Sequence, residues 1–339
     1  MLVTGHTGFK GAWLTLLLKD LGAHVVGLSI PPEDPQSLYV DINLSELLSA
    51  EYFQDIQDSR GIVNAIAESQ PDYVFHLAAQ AYVRKSYREP LETISINVMG
   101  TGNVLVAALA QKSVIGVTIA TTDKVYENLG VKKSFNESDR LGGSDPYSAS
   151  KAATELIVAS LASAKNQHGI PVTTVRAGNV IGGGDWGEDR LVPDIVRAFQ
   201  LGKPLLIRNP SATRPWQHVL DCLYGYLLTA ELHLKKPDDI PKSVNFGPQD
   251  SMSVIELVKN FEKEFNHEVL KEIVPSQIPE GEWLALDASF AFSKLGWFPA
   301  YSQITAVSQT ARWYSKFLQG ESARELMLNQ ISDYKVGKW

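Results

Sequence analysis

Two short stretches of the chain carry side chains able to move protons. In ATTDKVYEN, Ala120 to Asn128, a hydroxyl, a carboxylate and an amine follow one another as Thr122, Asp123 and Lys124, at the end of a run that reads as a buried strand. In DPYSASK, Tyr147 and Lys151 stand four residues apart, with Pro146 near the helix start. Four residues is one helical turn, so both side chains project from one face. A phenol with a pKa near ~10 works as a base at neutral pH only when something acidifies it, and a neighbouring ammonium does so. Thr122 could then hold a substrate hydroxyl beside the phenolate. A Tyr and a Lys at this spacing also occur on ordinary surface helices, so the pair needs a second signal.

VTGHTGFKG supplies it. Gly5, Gly8 and Gly11 form a G-x-x-G-x-x-G series that follows the first strand and opens the first helix, with Phe9 and Lys10 between the last two glycines. Glycine lets the backbone approach a pyrophosphate, and a helix N-terminus offers N–H donors and the positive end of its dipole. The expected ligand is a nicotinamide dinucleotide. The second strand ends on GLSIPPEDP, with Ser29 where an acidic ribose ligand is usual and Glu33 and Asp34 beyond it. No arginine sits there to accept a 2′-phosphate, which favours NAD over NADP. An oxidised nicotinamide would acidify the Tyr147 phenol further.

These groups need a scaffold, and the chain has one. LVTG, HVVGLSI, DYVFHLAA, GVTIATT and VTTVRAGNVIG read as strands separated by helical patterns. That alternation predicts an α/β fold with a Rossmann-type, doubly wound parallel sheet. Trp13, Leu14, Leu17, Leu18 and Leu21 recur at helical spacing, and Gly22 is placed to stop the helix. The second half changes to longer polar loops and shorter helical stretches. We read a cofactor domain over residues 1–176 and a smaller, interleaved substrate lobe over 177–339, with segments returning to the first. With 339 residues, 44% of them hydrophobic, the chain can bury a large core. A net charge of -7 without a Lys/Arg run gives no support to nucleic acid or an anionic membrane as partner. No apolar run approaches a membrane span, Cys222 has no intrachain partner, and the start lacks a secretory pattern, so a cytoplasmic location is expected. The seven histidines and one cysteine show no ligand spacing, and no metal is expected.

The glycine series, Thr122 and Tyr147/Lys151 resemble the extended short-chain dehydrogenase/reductase family. GHTGFKG, TTDKVYEN, GGSDPYSASK, RAGNVIGGGDW, IRNP followed by RPWQHV, NFGP, LGW and ISDY, in that order from Gly5 to Tyr334, are similar to its CDP-glucose 4,6-dehydratase branch. The resemblance implies CDP-glucose as substrate, C4 oxidation with Tyr147 as base, loss of water across C5 and C6, and return of the hydride to C6. It assigns Asp123 as the acid and Lys124 as the base of the elimination, where the related dTDP-sugar enzymes carry Asp-Glu. It implies that Asp55 and Ile56 of FQDIQD line the adenine corner and that Leu77, Ala78 and Ala79 of HLAAQ line the nicotinamide side. His76 reads as a satisfied strand histidine. Arg208 and Arg214 would grip the diphosphate, and Asn179, Arg190, Arg84 and Trp216 would line the substrate cleft. The same resemblance implies a homo-oligomer, dimer or tetramer, with helices near residues 91–111 and 147–167 at the interface. A nucleotide-sugar 4-epimerase, a dehydratase for another nucleotide hexose, and a silent dinucleotide sensor are the alternatives. Asp123-Lys124 favours elimination over epimerisation, and the presence of Tyr147 and Lys151 argues against a silent sensor.

Overall fold

The structure is a computed structural model that describes residues 1–32, 36–130, 132–235, 240–275 and 284–338. Glu33 and Asp34, considered above for the ribose, lie outside the described residues.

Seven parallel strands form the central sheet: β1 (Leu2–Thr4), β2 (Val26–Ser29), β3 (Ala50–Phe53), β4 (Tyr73–His76), β5 (Gly116–Ala120), β7 (Val172–Ala177) and β12 (Ser243–Phe246), in the order β12-β7-β5-β4-β1-β2-β3. Val3 faces Gly27 on one side and Phe75 on the other, so the chain reverses its direction of winding at β1. The crevice beyond the strand ends at that reversal is where an open α/β sheet takes its ligand. Among the described residues, eight short strands pair outside the sheet: β6 (Ser134–Phe135) with β15 (Ala285–Leu286), β8 (Val180–Ile181) with β11 (Gln217–His218), β9 (Leu205–Ile207) with β14 (Lys271–Ile273), and β10 (Thr213–Arg214) with β13 (Met252–Ser253).

The helices are α1 (Phe9–Asp20), α2 (Leu38–Asp41), α3 (Ser59–Ser69), α4 (Val83–Arg88), α5 (Pro90–Ile94), α6 (Thr101–Leu109), α7 (Pro146–Ala164), α8 (Leu191–Leu201), α9 (Val219–Lys235), α10 (Val254–Phe265), α11 (Gln303–Leu318) and α12 (Ala323–Lys338). Gly22 has φ +86° and closes α1 as its position suggested, a left-handed conformation that glycine adopts freely. Asp145 caps α7, accepting from Ser148 N at 2.9 Å, with Pro146 in the first turn where its missing N–H costs nothing.

Three sequence expectations change. The sheet gains β3 and β12, whose sequences AEYF and SVNF lack the apolar run of the other strands; β3 is an edge strand and only partly buried. VTTVRAGNVIG is two strands, because Asn179 adopts φ +50° and breaks the extended run between Ala177 and Val180. The helix expected over 91–111 is α5 and α6 joined by a π-helical turn at Ser95–Gly100.

The two halves of the chain interleave. Beyond residue 177, β12 pairs with β7 while α9 packs against β5 and β7. On α9, His233 bonds Tyr73 Oη at 2.7 Å and Thr173 Oγ1 at 2.9 Å, across 160 and 60 residues of sequence. Trp13, Tyr226, Phe246, Trp297 and Trp313 share one buried cluster that joins α1, α9, β12 and α11.

Candidate active site

A cleft of about 1780 Å³ opens over the C-terminal ends of the sheet strands, and the glycine series forms one wall of it. Gly5 has φ +73°, and a Cβ there would lie 2.7 Å from Ala78 N. A Cβ on Gly11 would lie 2.0 Å from the Gly5 carbonyl oxygen, so that glycine is required for β1 and α1 to meet. Gly8 differs: it is exposed to the cleft at the N-terminus of α1, where the first-turn N–H groups have no intrahelical acceptor. This cradle fits a pyrophosphate. Thr4 Oγ1 accepts from Leu77 N and Ala78 N, both at 3.1 Å, and bonds His76 Nδ1 at 2.7 Å, which fixes the Leu77–Ala79 turn. His76 Nε2 bonds Thr101 Oγ1 at 3.0 Å. Burial and the nearby Lys151 push the His76 pKa down to about 3, so the ring is neutral and satisfied. Ser29, Ile30, Gln54 and Asp55 line the far corner with no cation among them, and Ile56 packs beneath it against Gly100.

The groups expected to move protons converge across the cleft floor. Thr122, Asp123 and Tyr147 are buried, and the Lys124 amine reaches the cleft. Thr122 Oγ1 donates to Asp123 Oδ1 at 2.9 Å, and Lys124 Nζ donates to the same oxygen at 3.0 Å. Burial pulls the Lys124 pKa down, but Asp123 and Tyr147 outweigh it and hold the ammonium above its ordinary range. Burial raises Tyr147; Lys124 and the Thr122 hydroxyl oppose that shift. Lys151 donates to the Ala120 carbonyl at 3.4 Å, and burial together with the Lys10 charge lowers its pKa to about 7. Lys10 turns inward, where Nζ donates to the Tyr226 hydroxyl at 3.3 Å.

Arginines line the opposite wall. Arg190 Nη1 donates to Asp185 Oδ2 at 2.9 Å and lies over the Tyr82 ring, 5.1 Å from its centre. Arg208 Nη2 lies 3.1 Å, and Arg84 Nη1 3.5 Å, from Asp189 Oδ1. Arg214 and Asn179 also line the cleft. Trp216 is mostly committed to packing: it is buried, and its indole N–H donates to the Met252 carbonyl at 3.2 Å.

Three buried polar positions around the site escaped sequence reading. Asn97, buried on the π-helical turn, accepts from Gln80 N at 2.9 Å and donates to Gln80 O at 3.0 Å and to Ser150 Oγ at 2.9 Å. It ties the Leu77–Gln80 turn to α7 between Tyr147 and Lys151. The available signal was a lone amide in the apolar SINVMG run, since a buried amide must find partners. Glu155 and Arg176, behind Lys151, are the other two.

Comparison with known proteins places the chain among nucleotide-sugar enzymes. The family described as GDP-mannose 4,6 dehydratase matches residues 2–310. The chain is 38% identical to CDP-glucose 4,6-dehydratase of Salmonella typhimurium over 98% of its length and 95% of that protein's. It is 28% identical to dTDP-glucose 4,6-dehydratase of Xanthomonas campestris, covering 92% of each. Among solved structures, UDP-glucuronic acid 4-epimerase from Bacillus cereus, in complex with UDP-glucuronic acid and NAD, superposes with a TM-score of 0.81 at 25% identity, covering 94% of this chain and 99% of that one.

Proposed function

The chain belongs to the GDP-mannose 4,6 dehydratase family, and from that membership we propose that it is an NAD-dependent CDP-glucose 4,6-dehydratase. One observation carries the reading: a carboxylate and an amine in contact, Asp123 and Lys124, beside the Tyr147 phenol in a cleft with a dinucleotide cradle. An epimerase has no use for an acid and a base at C5 and C6.

Gly5, Gly8, Phe9, Lys10 and Gly11 would hold the dinucleotide, with Asp55 and Ile56 toward the adenine, and its chemistry there would be reversible hydride exchange with the sugar, from C4 and back to C6. Tyr147 accepts the C4 hydroxyl proton, assisted by Lys151 and with Thr122 orienting the hydroxyl. The resulting ketone acidifies the C5 proton. Lys124 removes that proton and Asp123 protonates the departing C6 hydroxyl. In the resting protein the proton sits the other way, on Lys124, so it must first cross the 3.0 Å contact to Asp123. After elimination Lys124 holds the C5 proton and Asp123 has lost its own; Lys124 gives a proton back to C5 as C6 receives the hydride, and the proton that Tyr147 took from the C4 hydroxyl then restores the pair to its starting state.

Arg84, Arg190, Arg208, Arg214, Asn179 and Trp216 bound the substrate end in the same proposal, the guanidinium groups meeting the diphosphate. The assembly is a homodimer. Leu91, Ile94, Met99 and Val106 along α5–α6, and Leu156 and Ile157 on α7, are exposed large hydrophobics on helices that pack together, a face that suits a second copy. No described helix is long and apolar enough to cross a membrane. A cytoplasmic location, supported by the unpaired Cys222, completes the reading.

Turnover of CDP-, dTDP-, UDP- and GDP-hexoses, followed by the mass of the sugar, tests it. CDP-glucose should yield a product lighter by one water with no lasting cofactor reduction. Cofactor reduced in step with substrate would mean an ordinary dehydrogenase, and C4 inversion without water loss an epimerase.

A further inference from the structure

Behind the catalytic groups lies a buried ion pair that the mechanism does not use. Glu155 follows Tyr147 and Lys151 at four-residue intervals, on the same face of α7. Its Oε1 accepts from Thr121 Oγ1 at 2.5 Å and Arg176 Nε at 3.0 Å; its Oε2 accepts from Thr174 Oγ1 at 2.6 Å and Arg176 Nη2 at 2.9 Å. Arg176 Nη1 donates to the Tyr126 hydroxyl at 2.8 Å, and the guanidinium lies over that ring, 5.0 Å from its centre. Tyr126 in turn donates to Asn245 Oδ1 at 2.7 Å.

The connections are specific. Thr121 precedes Thr122, and Tyr126 lies two residues after Lys124. Arg176 lies two residues before Gly178, against whose Cα the Asp123 carboxylate packs so tightly that a Cβ there would meet Oδ2 at 1.9 Å. One pair therefore joins the helix that carries the oxidation groups, Tyr147 and Lys151, to the turn that carries the elimination groups, Asp123 and Lys124. Stability does not account for it, because a buried ion pair gives little net stability over an apolar pair of similar volume. A fixed register does: both oxygens of Glu155 and three nitrogens of Arg176 have directional partners on α7, on β7, at Thr121 just beyond β5 and on the Tyr126 segment, so the two groups of side chains cannot shift independently.

We propose that Glu155 and Arg176 are positioning residues that couple the two halves of the reaction, keeping elimination in step with oxidation. The proposal rests on the dehydratase reading above. A turnover that fails between the halves releases a 4-keto hexose that still carries its C6 hydroxyl. That sugar is two hydrogens lighter than the substrate, one lost as hydride to the dinucleotide and one as a proton to Tyr147. A completed turnover releases a sugar lighter by one water.

The measured quantity is the fraction of released sugar that is the undehydrated ketone. Two variants serve. Thr121→Val cuts one link and leaves the ion pair whole; Glu155→Gln/Arg176→Met removes both charges together, so neither is left buried alone. The ketone fraction should rise at least ~10-fold in each, with lower solvent deuterium at C5 of the product and, for Thr121→Val, a melting temperature within a few degrees of wild type. A lower overall rate with an unchanged ketone fraction in Thr121→Val would overturn the proposal and leave the pair a structural one, whatever the double variant does. Failure of the dehydratase reading looks different, since wild-type protein would then not dehydrate CDP-glucose at all.

Discussion

Lys124 Nζ lies 3.0 Å from Asp123 Oδ1, while Oδ2 of the same carboxylate is buried with no hydrogen-bond partner among the described residues. A buried, unpartnered carboxylate oxygen is costly and is kept where a proton or a ligand is to arrive. The contact places that proton one transfer away.

If Lys124 takes the C5 proton, Lys124→Met keeps much of the stem's packing and loses the amine. Oxidation at C4 should persist while elimination falls by at least ~100-fold, with little solvent deuterium at C5. Lys124→Glu restores a base at the position and should recover part of the loss. Dehydration by the methionine variant at near wild-type rate would reduce Lys124 to an ion-pair partner of Asp123.

Lys151 sets a pH dependence of stability. Its folded pKa of about 7 lies below the 10.5 of a free lysine. Between these values the unfolded chain holds the proton that the folded chain has released. Stability therefore rises with pH across that window, by up to ~1.4 kcal/mol per unit from this group, and the penalty of burying the charge is fully present below pH 7. Cofactor-free wild type should gain in melting temperature relative to Lys151→Met as pH rises from 7 to 9. Parallel curves for the two proteins would rule this out.

Asp189 holds φ +55° and offers one carboxylate oxygen to both Arg84 and Arg208. A diphosphate reaching those arginines competes with it. Asp189→Asn should tighten binding of CDP by about 2- to 5-fold, the worth of a partly exposed ion pair. Calorimetry showing equal or weaker CDP binding would remove the two arginines from the diphosphate site.

The apolar face of α5–α6 and α7 should govern assembly. Leu91→Lys/Leu156→Lys changes side chains that are 79% and 62% exposed in the single chain, so folding should be unaffected. Sedimentation should show the mass of one chain where wild type shows two. An unchanged mass would put the interface elsewhere.

What the sequence determined by itself is local. The spacing of Gly5, Gly8 and Gly11 between a strand and a helix sets the cradle, because each glycine answers to backbone within a few residues or to the adjoining strand. The four-residue step from Tyr147 to Lys151 sets a shared helix face, and the order of motifs along the chain marks the family. The short strands β3 and β12 were illegible because one is half-exposed and the other comes from the far half of the chain, so neither carries the apolar run that marks a buried strand. Tertiary structure alone decided the rest. Asp123 and Lys124 are neighbours in sequence, but their resting proton depends on burial and on Tyr147, 23 or more residues away. Glu155 meets Arg176 across 21 residues and, through Tyr126, Asn245 across far more. Asp189 meets Arg84, 105 residues earlier in the chain, only because folding brings the segment before α8 against α4. Hydrogen bonds and charges act through space over a few ångströms, and periodicity along a chain carries no record of which distant residues folding will bring within that range.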